Sequence, residues 1–266
     1  MWRNYQPRQR LNLFDVRNST KVSNKEINIL DNTTLNLKKT ARLAGLLYFI
    51  VAITGAFGIM YAPSQLIVSG DVSATAKNIL SNEFLFRLGI YSSLICQTVF
   101  VFLVLTLYKL FENVNIHLTR TLFALVIVSV PIAFLIIFNQ FFALILLKET
   151  FMANFQQIQQ NSIAMASMKM YENGNVIIGI FWGLWLIPFG QLVYKSTFIP
   201  KILGILLIIG GICYVIDATT FILLPEFHTT TSILVGATSS VAELSMVLWL
   251  LIKGVSNSGQ LMTELG

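Results

Sequence analysis

Six long apolar runs, separated by short polar stretches, dominate the chain. They lie at about Leu43–Ala62, Leu88–Leu107, Thr121–Leu147, Val176–Tyr194, Ile202–Leu224 and Ser232–Ile252. A helix needs about 20 residues to cross a hydrocarbon core of about 30 Å, and each run meets or approaches that length. The pattern predicts an all-α protein, a polytopic six-span transmembrane helical bundle.

The polar stretches carry their own signals. Gly70-Asp71 followed by VSATAKNIL predicts a capped short helix with Val72, Ala76, Ile79 and Leu80 on one face. Glu83 and Arg87 stand four apart, a spacing that permits an ion pair on a helix. Between residues 148 and 174, Phe151, Phe155, Ile158, Met165 and Met168 recur at helical spacing. They predict an amphipathic helix outside the spans, ended by Gly174. Pro63 is expected to end the first span and Pro131 to kink the third. Gly45, Gly55 and Gly58 favour close helix contact in the first span, and Gly179 and Gly183 form a GxxxG in the fourth.

Residues 1–37 break the pattern. They are polar, hold seven Asn and show no sustained period, so they are read as a disordered basic tail. Leu11, Leu13, Phe14 and Val16 form a short apolar patch there, and Asn18 and Asn32 begin glycosylation sequons. The domain expectation is a tail over 1–37, a membrane domain over 38–255 and a short polar tail over 256–266.

Composition agrees with the pattern. Only 11% of the 266 residues are charged, too few to solvate a globular surface, where about 25% is usual. The net charge of +6 is that of residues 1–42 alone, so it gives no sign of a nucleic-acid groove in the body, and no nucleic-acid partner is expected. With the basic tail assigned to the cytoplasm, that face carries 14 Lys and Arg and the opposite face 4. The expected location is the cell membrane, with both termini cytoplasmic.

Several blocks resemble a known family. They are ARLAGLLYFIVA at 41–52, GDVSATAKNILSNEFLFRLGI at 70–90, FIPKILGILLIIGGICYVID at 198–217 and ELSMVLWLLIKGV at 243–255. They are similar to the bacterial membrane-protein family catalogued as domain of unknown function 4386. The resemblance implies a multi-span membrane protein and carries no activity or site residue with it.

No catalytic motif is present. His117 and His228 fall on opposite faces of the expected topology and read as solvated loop residues. Cys96 and Cys213 lie in apolar runs with no metal or disulfide spacing, so no metal or cofactor is expected. The chemistry rests instead on polar groups inside the spans: Arg87, Gln97, Asn139, Gln140, Asp217 and Glu243. An ionised carboxylate in hydrocarbon is costly, so Asp217 and Glu243 must face protein or water. The six are expected to form one polar site, with Arg87 turned inward to Asp217 or Glu243. Its partner would be the bilayer and a small molecule or cation. The alternative is a non-catalytic scaffold or sensor acting through the external helices and tail. A small transporter should show a wet cavity reaching the acids and some sign of internal repeat, and no convincing repeat relates spans one to three to spans four to six. A scaffold should show a tightly packed interior with both acids fully paired.

Overall fold

A computed structural model describes residues 35–148 and 156–255. The apolar patch of the tail, its sequons, Phe151 and Phe155 lie outside the described residues. The described chain is helical, with no strand. Six helices are long and apolar enough to span a membrane: α1 (Leu35–Leu66), α3 (Glu83–Phe111), α4 (Ile116–Lys148), α5 (Gln157–Lys195), α6 (Lys201–Leu223) and α7 (His228–Ile252, reached through the turn Pro225–Phe227). A short amphipathic helix, α2 (Val72–Ser81), precedes α3. Large apolar side chains point outward along the spans, Leu135 at 71% and Ile233 at 70% exposure. Rows of such residues suit a lipid boundary.

Both ends of the described chain meet at one face. The Arg42 guanidinium donates to the Ile252 carbonyl at 3.5 Å, and a Cβ at Gly254 would stand 3.3 Å from Lys38. We call this the terminal face and the opposite one the distal face. Between α1 and α7 the approach is close, since a Cβ at Gly45 would lie 2.7 Å from the Leu251 amide nitrogen. Further along, α1 leans on α3. Ser92 donates to the Thr54 carbonyl at 2.9 Å, and a Cβ at Gly58 would overlap the Ser93 hydroxyl.

The tightest seam joins α5 to α6. Gly183 lies against Gly211 and Gly190 against Gly204, each pair seven residues from the next. Antiparallel helices repeat their contacts at that interval, so the four glycines bring two backbones together without side chains between them. The GxxxG of the fourth span thus works within one chain.

The expected cap forms in α2, but of its expected apolar face Val72 and Leu80 stay exposed. Asp71 accepts a hydrogen bond from the Ala74 amide at 2.8 Å, and Ala76 and Ile79 are buried. Two expected breaks do not occur. Pro63 does not end α1, which widens into a π-helical segment at Ala56–Tyr61 and runs on to Leu66. Proline is tolerated there because it falls in the first turn after that segment, where its missing N–H costs little. Nor does Gly174 end a separate amphipathic helix. α5 continues through it for 39 residues, about 58 Å at 1.5 Å per residue. A Cβ there would meet Ile136 of α4 at 2.9 Å, so the glycine serves packing. The distal part of α5 outruns the bilayer core and seats α2 through Ala164, Met168, Ala76 and Ile79.

Candidate functional site

The polar residues singled out in the sequence separate into distinct places. Arg87 is not drawn inward. Its Nε donates to Glu83 Oε1 at 2.6 Å, and Lys148 Nζ reaches the same carboxylate at 2.8 Å. Arg87 is 49% exposed and sits at the distal end of α3, where the local acid one turn away satisfies it. The expected link from Arg87 to Asp217 or Glu243 is therefore absent.

Asp217 belongs to the α6–α7 turn. The Thr231 hydroxyl donates to its Oδ1 at 2.7 Å, and His228 Nδ1 stands 3.2 Å from the same oxygen. Thr220 and Thr231 share a hydrogen bond of 2.8 Å, and His228 packs edge-on to Phe221. His228 is thus no solvated loop residue. The short turn Pro225–Phe227 folds α7 back along α6 and lays the imidazole on the acid.

Glu243 is the carboxylate of the bundle interior. The Tyr48 hydroxyl of α1 donates to its Oε2 at 2.7 Å. Tyr48 is 1% exposed and held edge-on by Trp185, which stacks on Phe189 and meets Phe100. These rings fill the interior towards the terminal face, continued by Phe111 and Phe198. The titratable groups around the acid are Tyr48 from α1, Cys96 from α3 and Tyr214 from α6, with Asp217 beyond Tyr214. Among the described residues Glu243 forms no ion pair. Its neighbours Ala242 and Met246 are sealed, whereas Glu243 as a residue is only partly buried.

Gln97 and Gln140 are 4% and 2% exposed, and the Oε1 of each has no hydrogen-bond partner within the described chain. Asn139 is different. Its side-chain amide donates back to the Leu135 and Ile136 carbonyls of its own helix, and its backbone carbonyl accepts from the Ser167 hydroxyl of α5 at 2.9 Å.

The sequence reading missed Tyr48, Tyr214, Ser93 and Tyr171. A signal for Tyr48 existed, since a buried tyrosine hydroxyl requires a polar partner and none lies nearby in span one. No group of three or more His, Cys, Asp or Glu able to hold a metal occurs among the described residues. Surface grooves lie elsewhere, one of about 510 Å³ between α2 and the start of α5, lined by Lys77, Gln157 and Asn161. It does not reach Glu243.

Comparison with known proteins adds the family alone. No curated protein and no solved structure matches the chain. The family model described as Domain of unknown function (DUF4386) matches residues 43–254, from the first span to the end of the last. That match and the resembling blocks at 41–52, 70–90, 198–217 and 243–255 make this multi-pass membrane protein a member of the DUF4386 family.

Proposed function

We propose that the chain is an ion-binding membrane protein whose exchangeable guest is a proton, held at Glu243. One observation carries the reading: a carboxyl in the bundle interior meets a phenol and forms no ion pair among the described residues. A charge in that position requires a counter-charge or must be discharged. A phenol supplies a hydrogen bond and no positive charge. A proton bound on the carboxyl discharges it and completes the site. The scaffold reading needs both acids fully paired. Asp217 accepts from Thr231 and has the His228 imidazole 3.2 Å away, a base that can carry a positive charge; Glu243 has no such neighbour among the described ion pairs.

The substitution Glu243→Gln keeps the shape and a hydrogen-bond acceptor for Tyr48 while removing the titration. Infrared titration of the full chain in lipid should show a carboxyl band in the wild type that Glu243→Gln abolishes. The melting temperature of the variant should stay within a few degrees, because no ion pair is broken. A chain with no titrating carboxyl band assigned to Glu243 would refute the proton reading.

We also place both termini in the cytoplasm, on the charge bias of 14 to 4. Single cysteines at Lys77 and Lys169, both exposed on the distal side, should react with an impermeant thiol reagent added outside intact cells. A cysteine at Lys195 should not. Labelling at Lys195 alone would reverse the orientation.

A further inference from the structure

Four side-chain oxygens in the distal half of the bundle have no hydrogen-bond partner within the described chain: Ser93 Oγ, Gln97 Oε1, Gln140 Oε1 and Tyr171 OH. Their residues are between 1% and 4% exposed. Buried polar atoms are almost always satisfied, and ordered water is the usual partner where protein supplies none. Four such atoms concentrated among three helices therefore point to a guest that donates hydrogen bonds.

They follow one seam. Ser93 and Gln97 lie one turn apart on the same side of α3. The Tyr171 hydroxyl comes from α5 to face Ser93, with Asn175 one turn further along its own helix. One turn from Tyr171, Ser167 binds the Asn139 carbonyl at 2.9 Å, which fixes the neighbouring Gln140 of α4 at this level. Next to Gln97 in the chain is Cys96, within electrostatic reach of both Tyr171 and Glu243. The π-helical segment of α1 closes the seam, with Gly58 on Ser93. Towards the terminal face the route stops at the stacked rings of Trp185 and Phe189.

We propose that Gln140, Tyr171, Ser93 and Gln97 bind a file of water molecules that connects Glu243 to the distal face alone. The path rests on the proton reading of Glu243. Each water donates to a glutamine carbonyl or a hydroxyl and accepts from the next water. A proton entering at the distal end moves by making one O–H bond as the next is broken. It ends on the Glu243 carboxylate, and every water is restored. The aromatic stack leaves no polar atoms for a matching file on the other side.

X-ray hydroxyl-radical footprinting of the full chain in lipid nanodiscs tests the file directly, because bound water labels the side chains beside it. Tyr171 and Phe189 are both almost fully buried, at 2% and 0%. Tyr171 should be labelled at least about tenfold faster than Phe189, since only it borders water. Gln97→Leu and Gln140→Leu conserve side-chain size and remove an unpartnered oxygen, so both should fold. Each should slow proton exchange of the Glu243 carboxyl band about tenfold without moving its midpoint. Equal labelling of Tyr171 and Phe189 would overturn the file while leaving the proton reading intact. Unaltered exchange in both leucine variants would do the same. Loss of any titrating Glu243 band, with Tyr171 still labelled, would instead overturn the proton reading and this path with it.

Discussion

Gly183→Ala should destabilise the bundle by about 3 kcal/mol or more, whereas Gly179→Ala one turn away should be neutral or slightly stabilising. The same methyl group meets opposite surroundings at the two positions. At Gly183 it would overlap the Gly211 carbonyl oxygen and stand 2.8 Å from the Tyr214 Cβ, and neither backbone can yield without separating α5 from α6. At Gly179 the nearest atom is a Tyr214 ring carbon at 3.7 Å, an ordinary contact. Alanine also favours helix over glycine by about 1 kcal/mol, which helps the tolerant site and is overwhelmed at the crowded one. Thermal unfolding in detergent, followed by circular dichroism, separates the two. Equal melting temperatures would mean that α5 and α6 are not packed glycine to glycine.

Tyr48→Ala should have a comparable effect by another route. It removes a fully buried ring packed against both Trp185 and Phe189, and a cavity of that kind costs about 3–5 kcal/mol. It also strips Glu243 of its hydrogen bond. Tyr48→Phe isolates the second loss, because the ring stays and only the hydroxyl goes. That variant should cost about 1–3 kcal/mol, the usual penalty for stranding a buried acceptor. Combining Tyr48→Phe with Glu243→Gln should lower stability by less than the sum of the two single changes. Strict additivity in that cycle would show that the two side chains do not interact.

The spans were legible because crossing a membrane imposes a length, and six apolar runs of that length stand in the sequence. Local signals also read true: the Asp71 cap, the Glu83–Arg87 spacing and the small residues of α1. The cap and the ion pair each involve residues within one turn, and a small residue needs no particular partner to permit close approach. The partners of the acids were not legible, because they depend on which helices become neighbours. Glu243 finds Tyr48 across 195 positions, and Asp217 finds His228 because a three-residue turn reverses the chain. Arg87 was misjudged for a related reason. A lone base beside uncompensated acids invites a long-range pairing, yet the nearer Glu83 holds it at the distal end of α3. Gly174 misled because a glycine that ends a helix and one that admits a neighbouring isoleucine look alike in sequence.

The contact between α1 and α7 sets a constraint on biogenesis. Ribosomal synthesis runs from the first helix to the last, so α1 enters the membrane while α7 is still unmade. Throughout that interval the Tyr48 hydroxyl lacks its acceptor, and the Gly45 face lacks the backbone of Leu250 and Leu251. The nascent bundle is therefore open along one side until the final segment is translated. A chain truncated after Leu223 would keep five spans and the glycine seam, yet expose the unlatched flank of α1 to lipid and to membrane proteases. Arrival of α7 supplies both the acceptor of Tyr48 and the backbone that covers the Gly45 face.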